Sequence, residues 1–116
     1  MRQYNRIMFR SLFRVKVSDR RTGKLIGYAG DVSEDGLRLI CDQLVEVGSH
    51  MELRLRMRGR DGVMAQVELN ATCLWGRENP QSGHHELGLQ LLQPGNEYVA
   101  FVERLRLERG IPATAP

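Results

Sequence analysis

Met51-Glu-Leu-Arg-Leu-Arg-Met57 places an apolar side chain at every second position for seven residues. That period of two is the signature of a strand with one face buried and one face wet, and it cannot form an apolar stripe on a helix. The same alternation returns at Phe13–Val17 and Leu37–Cys41, and strand-like apolar runs stand at Lys24–Ala29, Val67–Trp75 and Glu86–Leu92. Turn-forming residues separate them: Asp19-Arg-Arg-Thr-Gly23, Gly30–Gly36, Arg58-Gly-Arg-Asp-Gly62 and a loop holding Pro80 and Gly83. Six short strands with regular turns predict an all-β, six-stranded antiparallel barrel, whose closure removes the exposed edges an open sheet would carry.

One helix is expected after the strands. Pro94-Gly-Asn96 supplies a stop and an N-cap at Asn96, and Glu97 suits the positive end of the helix dipole. Tyr98, Phe101, Val102 and Leu105 fall at i, i+3, i+4 and i+7, so one stripe can lie on the barrel. A chain of 116 residues is enough for one such domain. The expected division is a flexible basic arm over 1–14, barrel and helix over 15–109, and a tail over 110–116.

Charge is unevenly spread. Residues 1–24 carry eight of the 17 basic side chains and a single acid, Asp19, although the net charge of the whole chain is only +3. A concentrated cationic arm suits an anionic partner. No apolar run approaches the roughly 18–20 residues that span a bilayer, and no leader-like segment opens the chain, so membrane insertion and export are not expected. Cys41 and Cys73 sit in strand-like runs and read as buried reduced thiols, which points to the cytoplasm.

Within the basic arm stands Arg10-Ser-Leu-Phe-Arg14, and 17 residues after Arg14 begins Asp31-Val-Ser33-Glu-Asp-Gly36. Two guanidinium forks match the O6/N7 edge of guanine or a pair of phosphate oxygens. Asp31 can accept from guanine N1–H and N2–H, Ser33 can donate or accept, and Gly36 lets backbone bend or approach where a Cβ would clash. Arg6-x-x-x-Arg10 is a competing register; the later one leads straight into the first strand.

This R-x-x-x-R followed by D-x-S-x-x-G resembles the signature of PilZ domains, bacterial receptors for the second messenger cyclic di-GMP. Thr72-Cys-Leu-Trp75-Gly-Arg77 and Glu86-Leu-Gly88-Leu-Gln-Leu91 resemble the last strands of the PilZ-type barrel, with Leu91 in place of the usual Phe. The resemblance covers about residues 6–108. It implies that Arg10 and Arg14 clamp guanine and phosphate, that Asp31 and Ser33 take the other guanine edge, and that Gly36 holds the turn open. Arg77 either faces the ligand or caps a strand, and Trp75 reads as a core residue in preference to a stacking platform. It further implies a stand-alone receptor that alters its surface on binding and so regulates a downstream protein in motility, biofilm or polysaccharide output. A barrel of this type acting as an adaptor without nucleotide is the alternative.

Other chemistries fit less well. Asp31, Ser33, Asp35, Gly36 and Asp42 also fall at positions 1, 3, 5, 6 and 12 of a calcium loop, but the flanks alternate as strands and Arg38 sits inside the loop. His50, His84 and His85 lack metal-like spacing with the cysteines, so no metal is expected. No nucleophile elbow, phosphate loop or carboxylate pair is present, so neither catalysis nor a cofactor beyond the nucleotide ligand is expected. Arg2, Arg6, Arg10 and Arg14 recur at a period of four and could form a membrane-surface helix or a nucleic-acid grip. With 6% aromatic residues, stacking on a nucleic-acid polymer would be poor.

Overall fold

A computed structural model describes residues 7–8, 15–59 and 61–108. The six expected strands are present as β2 (Lys16–Asp19), β3 (Leu25–Val32), β4 (Gly36–Cys41), β5 (His50–Arg58), β6 (Met64–Glu78) and β7 (His85–Leu91). A two-residue β1 (Ile7–Met8) precedes them, pairing Ile7 with Val32 and Met8 with Asp31 inside the segment expected to be an arm. The rest of that arm, including Arg10 and Arg14, and the 110–116 tail lie outside the described residues.

All pairings are antiparallel, and β2–β5–β6–β7–β4–β3 closes on itself through β2 and β3. The molecule is a six-stranded antiparallel barrel with one C-terminal helix, α1 (Asn96–Glu108). Closure leaves no edge among the ring strands, which is the solution the short, evenly spaced strands demanded.

Alternation sorts the side chains. Val17, Leu39, Leu53, Leu55, Met57 and Leu87 point inward and are 0–1% exposed. Burying a side chain of this size contributes about 1.5–3 kcal/mol, so the interior dominates the stability of so small a domain. Tyr98, Phe101, Val102 and Leu105 pack α1 against this core, as their spacing requires. The helix starts one step earlier than expected: the Gly95 carbonyl accepts from the Tyr98 and Val99 amides at 3.1 and 3.2 Å. Gly95 is therefore the capping position, and Asn96 is the first helical residue. Cys41 and Cys73 are both free and buried, as expected, and burial pushes each thiol above its ordinary pKa.

Two turns are closed by glycines in the left-handed region, Gly23 at φ 77° and Gly62 at φ 82°. β6 runs to 15 residues, well past the expected Val67–Trp75, because it spans two different partners, β5 along its first part and β7 along its last.

Candidate functional site

Strict alternation would send Asp31 and Trp75 into the barrel, because Ala29 and Cys73 both point inward. Each is turned out by a β-bulge one residue before it. On β3 the register passes from Ala29↔Leu39 to Asp31↔Arg38, leaving Gly30 unopposed. On β6 it passes from Cys73↔Leu89 to Trp75↔Gly88, leaving Leu74 unopposed. An extra residue in one strand shifts the parity of everything beyond it, and bulges commonly re-aim side chains in this way.

The outward row that results runs straight across four strands: Asp31 on β3, Arg38 on β4, Gly88 on β7 and Trp75 on β6. Trp75 is 40% exposed, so the expectation of a core tryptophan is wrong; the bulge at Leu74 turns it outward. Both glycines in this region are set by close approach. A Cβ on Gly88 would lie 2.0 Å from the indole Nε1, and one on Gly30 would lie 2.8 Å from the Arg38 guanidinium carbon. Bare backbone at these points lets a ring and a guanidinium lie flat on the barrel wall.

Charges tie the row together. Arg38 Nε donates to Asp31 Oδ2 at 2.9 Å, and Arg38 Nη1 lies 3.4 Å from Glu86 Oε1. Arg77 Nη2 donates to the same Glu86 oxygen at 3.2 Å, and Asn79 Nδ2 donates to Glu86 Oε2 at 3.1 Å. Glu86 is thus a carboxylate held between two guanidinium groups. The Asn79 hydrogen bond, followed by that from Arg77 and the charges of Arg38 and Arg77, holds its pKa below the ordinary value despite burial. The Arg77 guanidinium carbon also sits 5.5 Å from the Trp75 ring centroid, a cation–π contact.

An open cavity of about 340 Å³ has Gly88 in its floor, Trp75 and Arg77 on one flank and Asp31 and Arg38 on the other. It offers guanidinium donors, a carboxylate acceptor and an exposed aromatic face. That set matches the polar edge and the flat π surface of a purine.

The neighbouring turn is built differently. Ser33 is fully buried; its amide donates to the Gly36 carbonyl at 2.9 Å and its hydroxyl lies 3.3 Å from both Asp35 Oδ1 and Gly36 O. The Tyr98 hydroxyl donates to the Ser33 carbonyl, and Arg106 Nη2 bonds Glu34 Oε2 at 3.1 Å with its side chain 6% exposed. Helix α1 therefore grips the turn at two adjacent residues.

Of the expected site residues, Asp31 and Arg77 share the cavity, Ser33 and Gly36 form the turn beside it, and Arg10 and Arg14 lie outside the described residues. Arg38, Glu86, Asn79 and Gly88 were not among the expected site residues. Arg38 carried a usable signal, since it stands between the inward Leu37 and Leu39 two residues past the motif glycine and must face out. Glu86 and Asn79 carried none, because their role depends on which strands meet.

A family model described as PilZ domain matches residues 1–107. No curated protein matches the chain. Among solved structures, the Bacillus subtilis inhibitor of motility (MotI/DgrA) is similar with a TM-score of 0.69 and 16% identity, over 95% of this chain and 52% of that one. The K. pneumonia MrkH–c-di-GMP complex is similar with a TM-score of 0.70 and 12% identity, over 95% of this chain and 54% of that one. The chain spans about half the length of each, and at these identities the likeness concerns the fold.

Proposed function

The chain belongs to the PilZ domain family, and on that footing we propose that it is a cytoplasmic cyclic di-GMP receptor that regulates a protein partner by changing its surface. The observation that carries this reading is the outward row Asp31–Arg38–Gly88–Trp75 with Arg77 beside it, all opening onto one cavity. In the family reading, Arg10 and Arg14 clamp guanine and phosphate, while Asp31 accepts from the guanine N1–H and N2–H edge. Ser33 and Gly36 complete the site from the turn, and Arg77 closes it from β6. MrkH, a solved protein of the same fold, is known in complex with c-di-GMP, which supports the same ligand here.

Binding needs no covalent step. Arg38 and Arg77 are pre-oriented by Glu86, so neither loses its full side-chain freedom when a ligand arrives. A base stacked on an aromatic ring contributes about 1–3 kcal/mol, and Trp75 offers such a face. The output follows from the two bonds that join the turn to α1. A ligand that repositions Ser33 or Glu34 changes what Tyr98 and Arg106 hold, and thereby the outer face of the helix.

A specific observation favours the adaptor reading: Asp31 is already ion-paired with Arg38, and Ser33 is buried within its own turn. Calorimetric titration with cyclic di-GMP separates the two. The receptor reading expects saturable heat that is lost in Arg14→Ala and Asp31→Ala; no heat at micromolar protein would leave the adaptor.

A further inference from the structure

The wall of the barrel opposite the β4–β7 seam carries an unbalanced cluster of cations. Lys16 on β2 stands directly across from Arg56 on β5, and Arg58 follows two residues later on the same face. Like charges at directly opposed positions weaken a sheet. Elsewhere on this wall cations find internal partners: Arg54 pairs with Glu68 at 2.8 Å, and Arg20, just past β2, with Glu52 at 2.9 Å. Across from Arg56 and Arg58 on β6 stand Gln66 and Met64, neither of which is an acid.

The cluster surrounds a cleft of about 230 Å³ lined by Lys16, Arg56, Arg58 and Met64. Arg56 Nε is buried and, among the described residues, has no hydrogen-bond partner. Arg58 donates Nη1 to the Gly62 carbonyl at 2.9 Å, which fixes its head beside the cleft. Among the described residues, no carboxylate forms an ion pair with Lys16, Arg56 or Arg58.

We propose that this cleft, formed by Lys16, Arg56 and Arg58, is a second anion site that takes a phosphoryl group, separate from the nucleotide cavity. The charge count selects the ligand class. One arginine suffices for a carboxylate on this same wall, as Arg54 does for Glu68. Three cations around one cleft match the higher charge and three acceptor oxygens of a phosphoryl dianion, for which the arginine fork is well shaped. Its arrival converts a repulsive Lys16–Arg56 juxtaposition into a shared attraction and supplies the acceptor that Arg56 Nε lacks. The group could be free in solution or carried on a protein side chain; the chemistry at the cleft is the same.

The test is a titration of the full chain with pyrophosphate, followed through the backbone amides of residues 16, 56 and 58, with sodium chloride at equal ionic strength as reference. Saturable shifts are expected in the wild type and in Arg77→Ala, which lies on the other wall. Arg56→Gln should bind at least ten-fold more weakly; if it does not fold, Lys16→Gln carries the same expectation. A parallel arm with a phosphoserine peptide assigns the source: tighter binding than pyrophosphate places the group on a protein partner, weaker binding makes it a free anion. Shifts that never saturate and match the salt reference would overturn the site, as would equal affinity in wild type and both cleft variants.

Discussion

The Trp75 indole lies flat across the backbone of Gly88, its Nε1 only 2.0 Å from where a Cβ on that glycine would be. The ring consequently forms one wall of the proposed nucleotide cavity, with Arg77 stacked above it. Gly88→Ala should evict the indole, shift Trp75 fluorescence to the red and weaken cyclic di-GMP binding. Overpacking of this kind costs about 1–3 kcal/mol, and the lower end applies because the ring can swing toward solvent. Unchanged emission in a folded variant would show that the ring had other room.

Arg38 joins two carboxylates on different strands, Asp31 and Glu86, and rests on the bare backbone of Gly30. Arg38→Lys should fail almost as fully as Arg38→Ala, since an ammonium cannot reach both acceptors with a rigid fork. Nucleotide affinity is expected to fall about ten-fold or more in each, in line with the roughly 1.5–3 kcal/mol of a hydrogen bond to a charged group, here the one that orients Asp31. Wild-type affinity in the lysine variant would mean that charge, rather than geometry, is what Arg38 supplies.

Acid should loosen this wall through Glu86. Its folded pKa is held below the ordinary 4.5 by Asn79, Arg77 and Arg38, so its contribution is present above that value and disappears as pH falls through the folded pKa. Denaturant melts of the wild type and Glu86→Gln should differ by a constant amount from pH 5 to 7 and converge toward pH 3. A gap that persists unchanged at pH 3 would place the effect in packing instead.

Tyr98→Phe removes the hydroxyl that holds the Ser33 carbonyl while leaving the ring in the core. Removing the donor from a buried carbonyl costs about 1–3 kcal/mol. The turn amides should exchange faster with solvent, notably Ser33 and Leu91, whose amides bond Gly36 and Asp35. If exchange there matches the wild type, the helix does not control the turn.

Cys41 and Cys73 should resist thiol reagents in the folded protein at pH 8 and react fully once unfolded, because burial both shields them and raises their pKa. Prompt labelling of either in the native state would mean that the loop over residues 42–49 opens readily.

Period-two alternation between turn residues was enough to read the barrel, its six ring strands, the core-facing set and the helix stripe, because each depends on near neighbours in the chain. Asp31 and Arg77 entered the candidate set by another route, the D-x-S-x-x-G motif and the resemblance of the Thr72–Arg77 stretch to a PilZ-type barrel strand. Local alternation fails at Trp75 because parity holds only while every residue is paired; one unopposed residue, Leu74, reverses it, and no local pattern marks where a partner strand omits a residue. Glu86 between two arginines, Gly88 beneath an indole and α1 gripping the Ser33–Glu34 turn are likewise products of which strands and helix end up adjacent. Alternation of side chains along the chain was sufficient to choose a barrel. The face that holds the site depended on two bulges and the strand register they create, a long-range pairing that short windows of residues do not encode.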